Sequence, residues 1–268
     1  MSFQPIVPIS GLAGWAFLKR TQERQETVFN KAPMLTRQVD EFARELPKIK
    51  TAEELVGNRR VLQVALGAFG LQDDIDNRAF IRKIVEDGTT ERGALANRLS
   101  DKRYLEFAKA FSFLSKDGPS APPDGLTERL IGQFRSREFE IAVGEQDNSM
   151  RLALALQRDL PQLSEQYSND RSRWFAVLGN PPLREVLQTS LGLPTEFGRL
   201  DIDSQVSRMQ SAAQRRFGTS DLAELGQPEN LEKITQRFLV LSQLRETQTM
   251  MSGASTALML LQSARGLG

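Results

Sequence analysis

Three aspartates stand within four residues at Asp73, Asp74 and Asp76, and Asp201 and Asp203 form a second close acidic pair. The chain of 268 residues has no histidine and no cysteine. Carboxylates are therefore the side chains left for proton transfer or for holding a metal. A calcium loop needs glycine at its sixth position and a bidentate glutamate at its twelfth. Counted from Asp74 those positions hold Ala79 and Val85, and counted from Asp73 they hold Arg78 and Ile84. The motif fails. Acids at the start of a helix are favoured by the helix dipole, and both clusters read as helix N-termini.

The two missing residue types exclude much more. Without histidine there is no Ser-His or Cys-His triad and no His-ligated zinc or haem. Without cysteine there is no disulfide, thiolate metal site, Fe–S cluster or thiol nucleophile. Gly67-Ala68-Phe69-Gly70 lies in an apolar helical run, and no Gly-x-x-x-x-Gly-Lys-Ser/Thr sequence occurs. No cofactor and no enzymatic activity are expected. Basic residues number 35 against 34 acidic ones, a net charge of +1. Runs such as Arg59-Arg60, Arg82-Lys83, Lys102-Arg103 and Arg215-Arg216 read as solvated faces, and no nucleic acid is expected as a partner. Arg173 beside Trp174 is the one cation–aromatic pair singled out for a small-ligand pocket, placed between two helical units.

The elements that must carry these residues read as helices throughout. Leu35, Val39, Phe42, Leu46 and Ile49 recur at three and four residues. Thr51-Ala52-Glu53-Glu54 is a capping box, and Asn180-Pro181-Pro182 is an N-cap followed by proline in the first turn. Gly88, Gly192 and Gly218 stand where helices should stop. Leu46-Pro47 and Leu160-Pro161 each predict the end of a helix. Sustained strand-like alternation is missing, so the fold class is all-α. Residues 116–125 contain prolines and glycines that forbid a helix and form a linker.

The parts on either side of that linker match in order. Gly57-Asn58 is echoed by Gly179-Asn180, Gly70-Leu71 by Gly192-Leu193, and Asp74-Ile75-Asp76 by Asp201-Ile202-Asp203. Gly88-Thr89-Thr90 returns as Gly218-Thr219-Ser220, and Leu95-Ala96 as Leu222-Ala223. The order predicts an internal duplication: two related helical units, 34–115 and 126–244, packed together. A segment 1–33 and a tail 245–268 flank them as terminal helices.

Trp15, Leu18, Gln22, Gln25 and Phe29 fall at heptad-like intervals, and Leu244, Met251 and Leu258 stand seven apart with Leu261 interleaved. Trp15, Leu18, Phe29, Leu244, Met251, Leu258 and Leu261 are the candidate partner-binding residues. The same stripes also suit helices docked on the protein's own core, and both readings stay open. Ile6 to Leu18 is apolar, but Lys19 and Arg20 follow it, Pro5 and Pro8 interrupt it, and it is shorter than the ~20 residues of a membrane span. No membrane span and no cleaved signal are expected.

Leu95-Ala96-Asn97-Arg98-Leu99-Ser100-Asp101-Lys102-Arg103-Tyr104, running on to Phe107 and Phe111, resembles an alphaproteobacterial family, domain of unknown function 1217. Ala68 to Leu71, Phe80 to Lys83, Phe139 to Gly144 and Trp174 extend the resemblance over most of the chain. Its members are often encoded near flagellar genes, and the family brings no catalytic or ligand residues. The resemblance implies a structural or protein-interaction protein associated with the bacterial flagellum, with a protein partner or self-association. It would be cytoplasmic, or exported to the flagellum without a cleaved signal peptide. A small-ligand binding protein is the alternative.

Overall fold

Caps and prolines set where each helix begins and ends. The structure, a computed structural model, describes residues 3–116, 118 and 121–265, with side chains described as far as residue 248. Among the described residues the chain forms fourteen α-helices and no strand. They are Gly11–Phe29 (α1), Pro33–Glu45 (α2), Ala52–Gly57 (α3), Arg59–Phe69 (α4), Arg78–Asp87 (α5), Leu95–Arg98 (α6) and Arg103–Ala110 (α7), followed by Leu126–Gly144 (α8), Asn148–Gln166 (α9), Asp170–Leu178 (α10), Pro181–Ser190 (α11), Ile202–Phe217 (α12), Leu222–Leu225 (α13) and Pro228–Arg265 (α14). The all-α class stands.

Local signals act as expected at most boundaries. The Thr51 hydroxyl accepts from the Glu54 N–H at 3.1 Å, although the Glu54 carboxylate returns to the Lys50 N–H rather than closing on Thr51. Leu46-Pro47 ends α2 in a 3₁₀ turn over Leu46–Lys48. Leu160-Pro161 does not end α9. The helix continues to Gln166, because its lost N–H is one bond while the flanking Leu160 and Leu163 are buried in the core. The described residues of the linker 116–125 are non-helical.

Two stretches share an order of α-helices, α2–α3–α4, a 3₁₀ turn, α5–α6–α7 and α9–α10–α11, a 3₁₀ turn, α12–α13–α14, although the first has a further 3₁₀ turn, Leu46–Lys48, between α2 and α3. Some details agree between them. Asn58 Oδ1 caps α4 through the Val61 N–H, and Asn180 Oδ1 caps α11 through the Leu183 N–H, both at 3.2 Å. Gly70 and Gly192 follow these helices at φ +70° and +71°. The next residue in each case donates its N–H back to a helix carbonyl, Leu71 to Leu66 and Leu193 to Gln188. Only glycine enters this left-handed closing turn without strain.

The chain has two apolar cores. Leu35 to Phe134 supply the first, with Phe69 edge-on to Phe107 and Phe107 against Phe111. Residues from Phe139 to Leu239 supply the second, together with Trp15 and Leu18. The division between them therefore falls inside α8, not at residues 116–125. Leu126, Leu130 and Phe134 face the first core at intervals of four, and Phe139 and Val143 face the second. The five-residue step from Phe134 to Phe139 turns the apolar stripe by about 140° at 100° per residue, so one helix serves both cores. The N-terminal helix is likewise not a separate flank. It packs on the second core and is tied to α14 by Lys19–Glu232 at 2.8 Å.

Candidate functional site

The residues picked from the sequence are spread over the molecule. Trp15 and Leu18 are 3% and 0% exposed inside the second core, so they are docking residues of α1 and not partner-binding ones. Phe29 packs edge-on against Phe139 at 5.7 Å, where both cores meet. Leu244 is 54% exposed. Met251, Leu258 and Leu261 lie outside the residues whose side chains are described. Arg173 and Trp174 do not line a pocket between the units. The Trp174 indole N–H donates to Ser220 O at 3.0 Å, and Arg173 donates to Tyr167 O at 2.8 Å and Asp221 at 3.3 Å. Both tie the second unit to itself, because a buried indole N–H and guanidinium must find acceptors.

The acidic run is structural as well. Asp74 accepts from the Tyr104 hydroxyl at 2.6 Å, and Asp76 pairs with Arg59 at 2.6 Å. Among the described residues no group of three or more acids could hold a metal ion.

Polar chemistry gathers instead on the seam between the cores. Two guanidiniums reach the carbonyl end of α4: Arg137 Nε donates to Ala68 O at 2.9 Å, and Arg103 donates to Gly70 O. Cations there neutralise the negative pole of the helix and satisfy its last carbonyls. Arg103 is held in turn by both oxygens of Asp101. From α9, Arg158 bridges Asp159 at 2.6 Å and Glu140 of α8. Asp159 also accepts from Asn180 Nδ2 at 3.3 Å and has Arg137 at 3.7 Å. Three arginines thus face three carboxylates.

Burial sets the protonation tendencies. It works against ionisation of Asp159, but Arg158 and Arg137 outweigh it and hold that carboxyl below its usual range. Burial pushes Glu140 up despite the same two arginines. For Arg158, burial is overcome by its two carboxylates, and the guanidinium is firmly charged. A cavity of about 150 Å³ opens beside this network, lined by Phe69, Arg137, Asp159 and Tyr167 among others.

A second joint lies at residues 99–102. The Lys102 N–H donates to Gly179 O at 3.1 Å, and Lys102 Nζ folds back on Leu99 O at 2.9 Å. Gly179 admits this loop because a Cβ there would stand 2.2 Å from Ser100 O. Beside the joint is a half-open cleft of about 810 Å³, bounded by residues 98–102 on one side and by α10, α11 and the start of α12 on the other.

Sequence reasoning passed over Arg158, Asp159 and Glu140. One signal was legible: Asp159 lies three and four residues from Leu156 and Leu163, on the apolar stripe of α9. A carboxylate there needs a partner. Which partner was not legible, since Glu140 comes from α8 and Asn180 from the cap of α11.

The run Leu95 to Tyr104, which carries the family resemblance, is the segment that makes the joint and sends Arg103 to α4. No curated protein matches the chain. A solved structure, protein AGR_C_984 from Agrobacterium tumefaciens, is similar with a TM-score of 0.71 and 24% identity, over 91% of this chain and 99% of that one. That likeness concerns the fold. The family model described as "Protein of unknown function (DUF1217)" matches residues 68–263, most of the sequence, and the chain belongs to that family.

Proposed function

We propose that the protein is a non-enzymatic structural or interaction protein that binds a protein partner or itself through the far end of α14, in association with the bacterial flagellum. One observation carries the reading. Leu231, Ile234, Phe238 and Leu239 bury the first turns of α14, whereas residues 243–248 are exposed, with Gln243 beside Gly11 and Arg245 reaching Thr189. At 1.5 Å per residue the helix is about 57 Å long, and Leu239 stands in its first third. Val240 and Leu244 are exposed one turn apart, and Ile9 and Leu12 are exposed near them: Gly11, between those two, lies against Gln243. Exposed apolar residues beside an emerging helix favour a docked partner. The flagellar part is supported by the gene neighbourhood that the family resemblance implies. The doubled element order and matching caps favour two units that arose by duplication.

The test is truncation after Arg245, which keeps the last described bond of α14 to the body, Arg245 to Thr189 at 2.9 Å. Sedimentation velocity and partner capture should lose the association seen with the full chain, with little change in melting temperature. A monomeric, partnerless full chain whose melting temperature falls sharply on truncation overturns the interaction reading. Normal motility and normal flagella in a deletion strain overturn the flagellar part.

A second reading, a small-ligand binding protein, is favoured by the two clefts on the seam. Thermal-shift screening of the full chain against small molecules tests it, since a ligand that binds only the folded state raises the melting point.

A further inference from the structure

The larger cleft has a one-sided charge. Arg98 comes from the end of α6, Lys102 from the joint and Arg184 from α11. Asp101 is the carboxylate in the lining, and both of its oxygens are occupied by Arg103. Asp203, next to the lining residue Ile202, pairs with Arg171 at 2.9 Å. Among the described residues neither Arg98 nor Arg184 has an acidic partner. The wall between these cations is apolar: Leu99, Phe175, Leu178, Leu200 and Ile202, the last 50% exposed. A volume of about 810 Å³ lies within the roughly 300–1,000 Å³ of small-molecule sites.

Leu178 is buried, Leu99, Phe175 and Leu200 are half-buried with Arg171 over the Phe175 ring, and Ile202 is exposed, so part of this apolar wall is left uncovered beside the cations. Apolar burial and a charge-assisted bond to a guanidinium are both gained only when an amphipathic anion enters. The neighbouring 150 Å³ cavity lacks this property, because its Asp159 and Arg137 belong to the network that joins the cores.

Building on the reading of the seam as a ligand site, we infer that this cleft binds a small amphipathic organic anion, with a carboxylate or sulfonate head on Arg98 and Arg184 and a compact apolar body against Phe175, Leu200 and Ile202. The ligand enters between the cores and touches both. It therefore bears on the joint at Lys102 and Gly179 without any covalent chemistry.

Fluorescence titration of the full chain with 8-anilinonaphthalene-1-sulfonate is the primary test. Saturable binding at one site is expected, weakened about tenfold or more in Arg98→Gln/Arg184→Gln and unchanged in Arg215→Gln on the exposed face of α12. All three side chains are exposed, so folding is retained, and circular dichroism checks it. Displacement by 4-phenylbutyrate but not by 4-phenylbutanol supports the anionic class. Equal displacement by both overturns that class and leaves the ligand reading standing. Probe binding insensitive to Arg98 and Arg184 overturns the site. Sedimentation with phosphatidylglycerol vesicles, without displacement by 4-phenylbutyrate, assigns the cations to a lipid surface and overturns the small-molecule ligand. Absence of saturable probe binding overturns the inference, while the thermal-shift screen with neutral compounds decides the ligand reading separately.

Discussion

Asp159→Ala is the sharpest probe of how the two cores are joined. Asp159 is 8% exposed and receives Arg158 at 2.6 Å and Asn180 at 3.3 Å, with Arg137 at 3.7 Å. Removing it leaves Arg158 and Glu140 as a buried pair and Arg137 without its carboxylate. Breaking a buried ion pair from one side costs about 3–5 kcal/mol. At about 2–4 °C per kcal/mol for a chain of this size, the melting temperature falls by roughly 6–20 °C. The assay needs two signals. Both tryptophans, Trp15 and Trp174, lie in the second core, so their fluorescence follows that core while far-UV circular dichroism follows both. The wild type should give coincident urea transitions, and Asp159→Ala should separate them as coupling across α8 weakens. Replacing Glu140→Leu/Arg158→Met/Asp159→Leu together should recover part of the loss, because the Arg158 charge and both carboxylates leave at once and Arg137, which loses its carboxylates, keeps its bond to Ala68 O. A cost under about 1 kcal/mol for Asp159→Ala, or a triple variant no better than the single one, refutes the reasoning.

Gly179→Ala should destabilise by about 1–3 kcal/mol and speed hydrogen exchange at the Lys102 amide, since its Cβ would meet Ser100 O at 2.2 Å. The corresponding Gly57→Ala, with open space around the Cβ, should be neutral or slightly stabilising in the same denaturation assay. Asn58→Ala should cost about 1 kcal/mol as a lost cap, and Asn180→Ala more, because Asn180 also donates to Asp159. The pH profile has two opposed parts. Asp159 has a depressed native value, so its contribution is complete above about pH 4 and is lost as pH falls through that lower value. Glu140 has a raised native value, so its contribution is complete below about pH 4.3 and is lost as pH rises through it. In denaturation across pH, Asp159→Asn should flatten the acid limb, and Glu140→Gln should remove the loss on the alkaline side of that window.

The sequence by itself determined the local architecture. Caps at Thr51 and Asn180, the closing glycine at Gly192 and the apolar period of α2 act within a few residues, so spacing alone reveals them. The ordered matches between the two parts of the chain were legible for the same reason, since the matched residues are punctuation that helices need. Tertiary structure decided what those helices pack against. Trp15 and Leu18 form the same stripe whether they meet a partner or their own core, and only the path of α1 onto the second core chooses. Pro161 reads as a stop, yet burial of its neighbours carries α9 past it. The seam was the least legible part. Glu140 and Arg137 come from α8, Arg158 from α9 and Asn180 from the cap of α11, and a buried charge is defined by which opposite charge the fold places beside it.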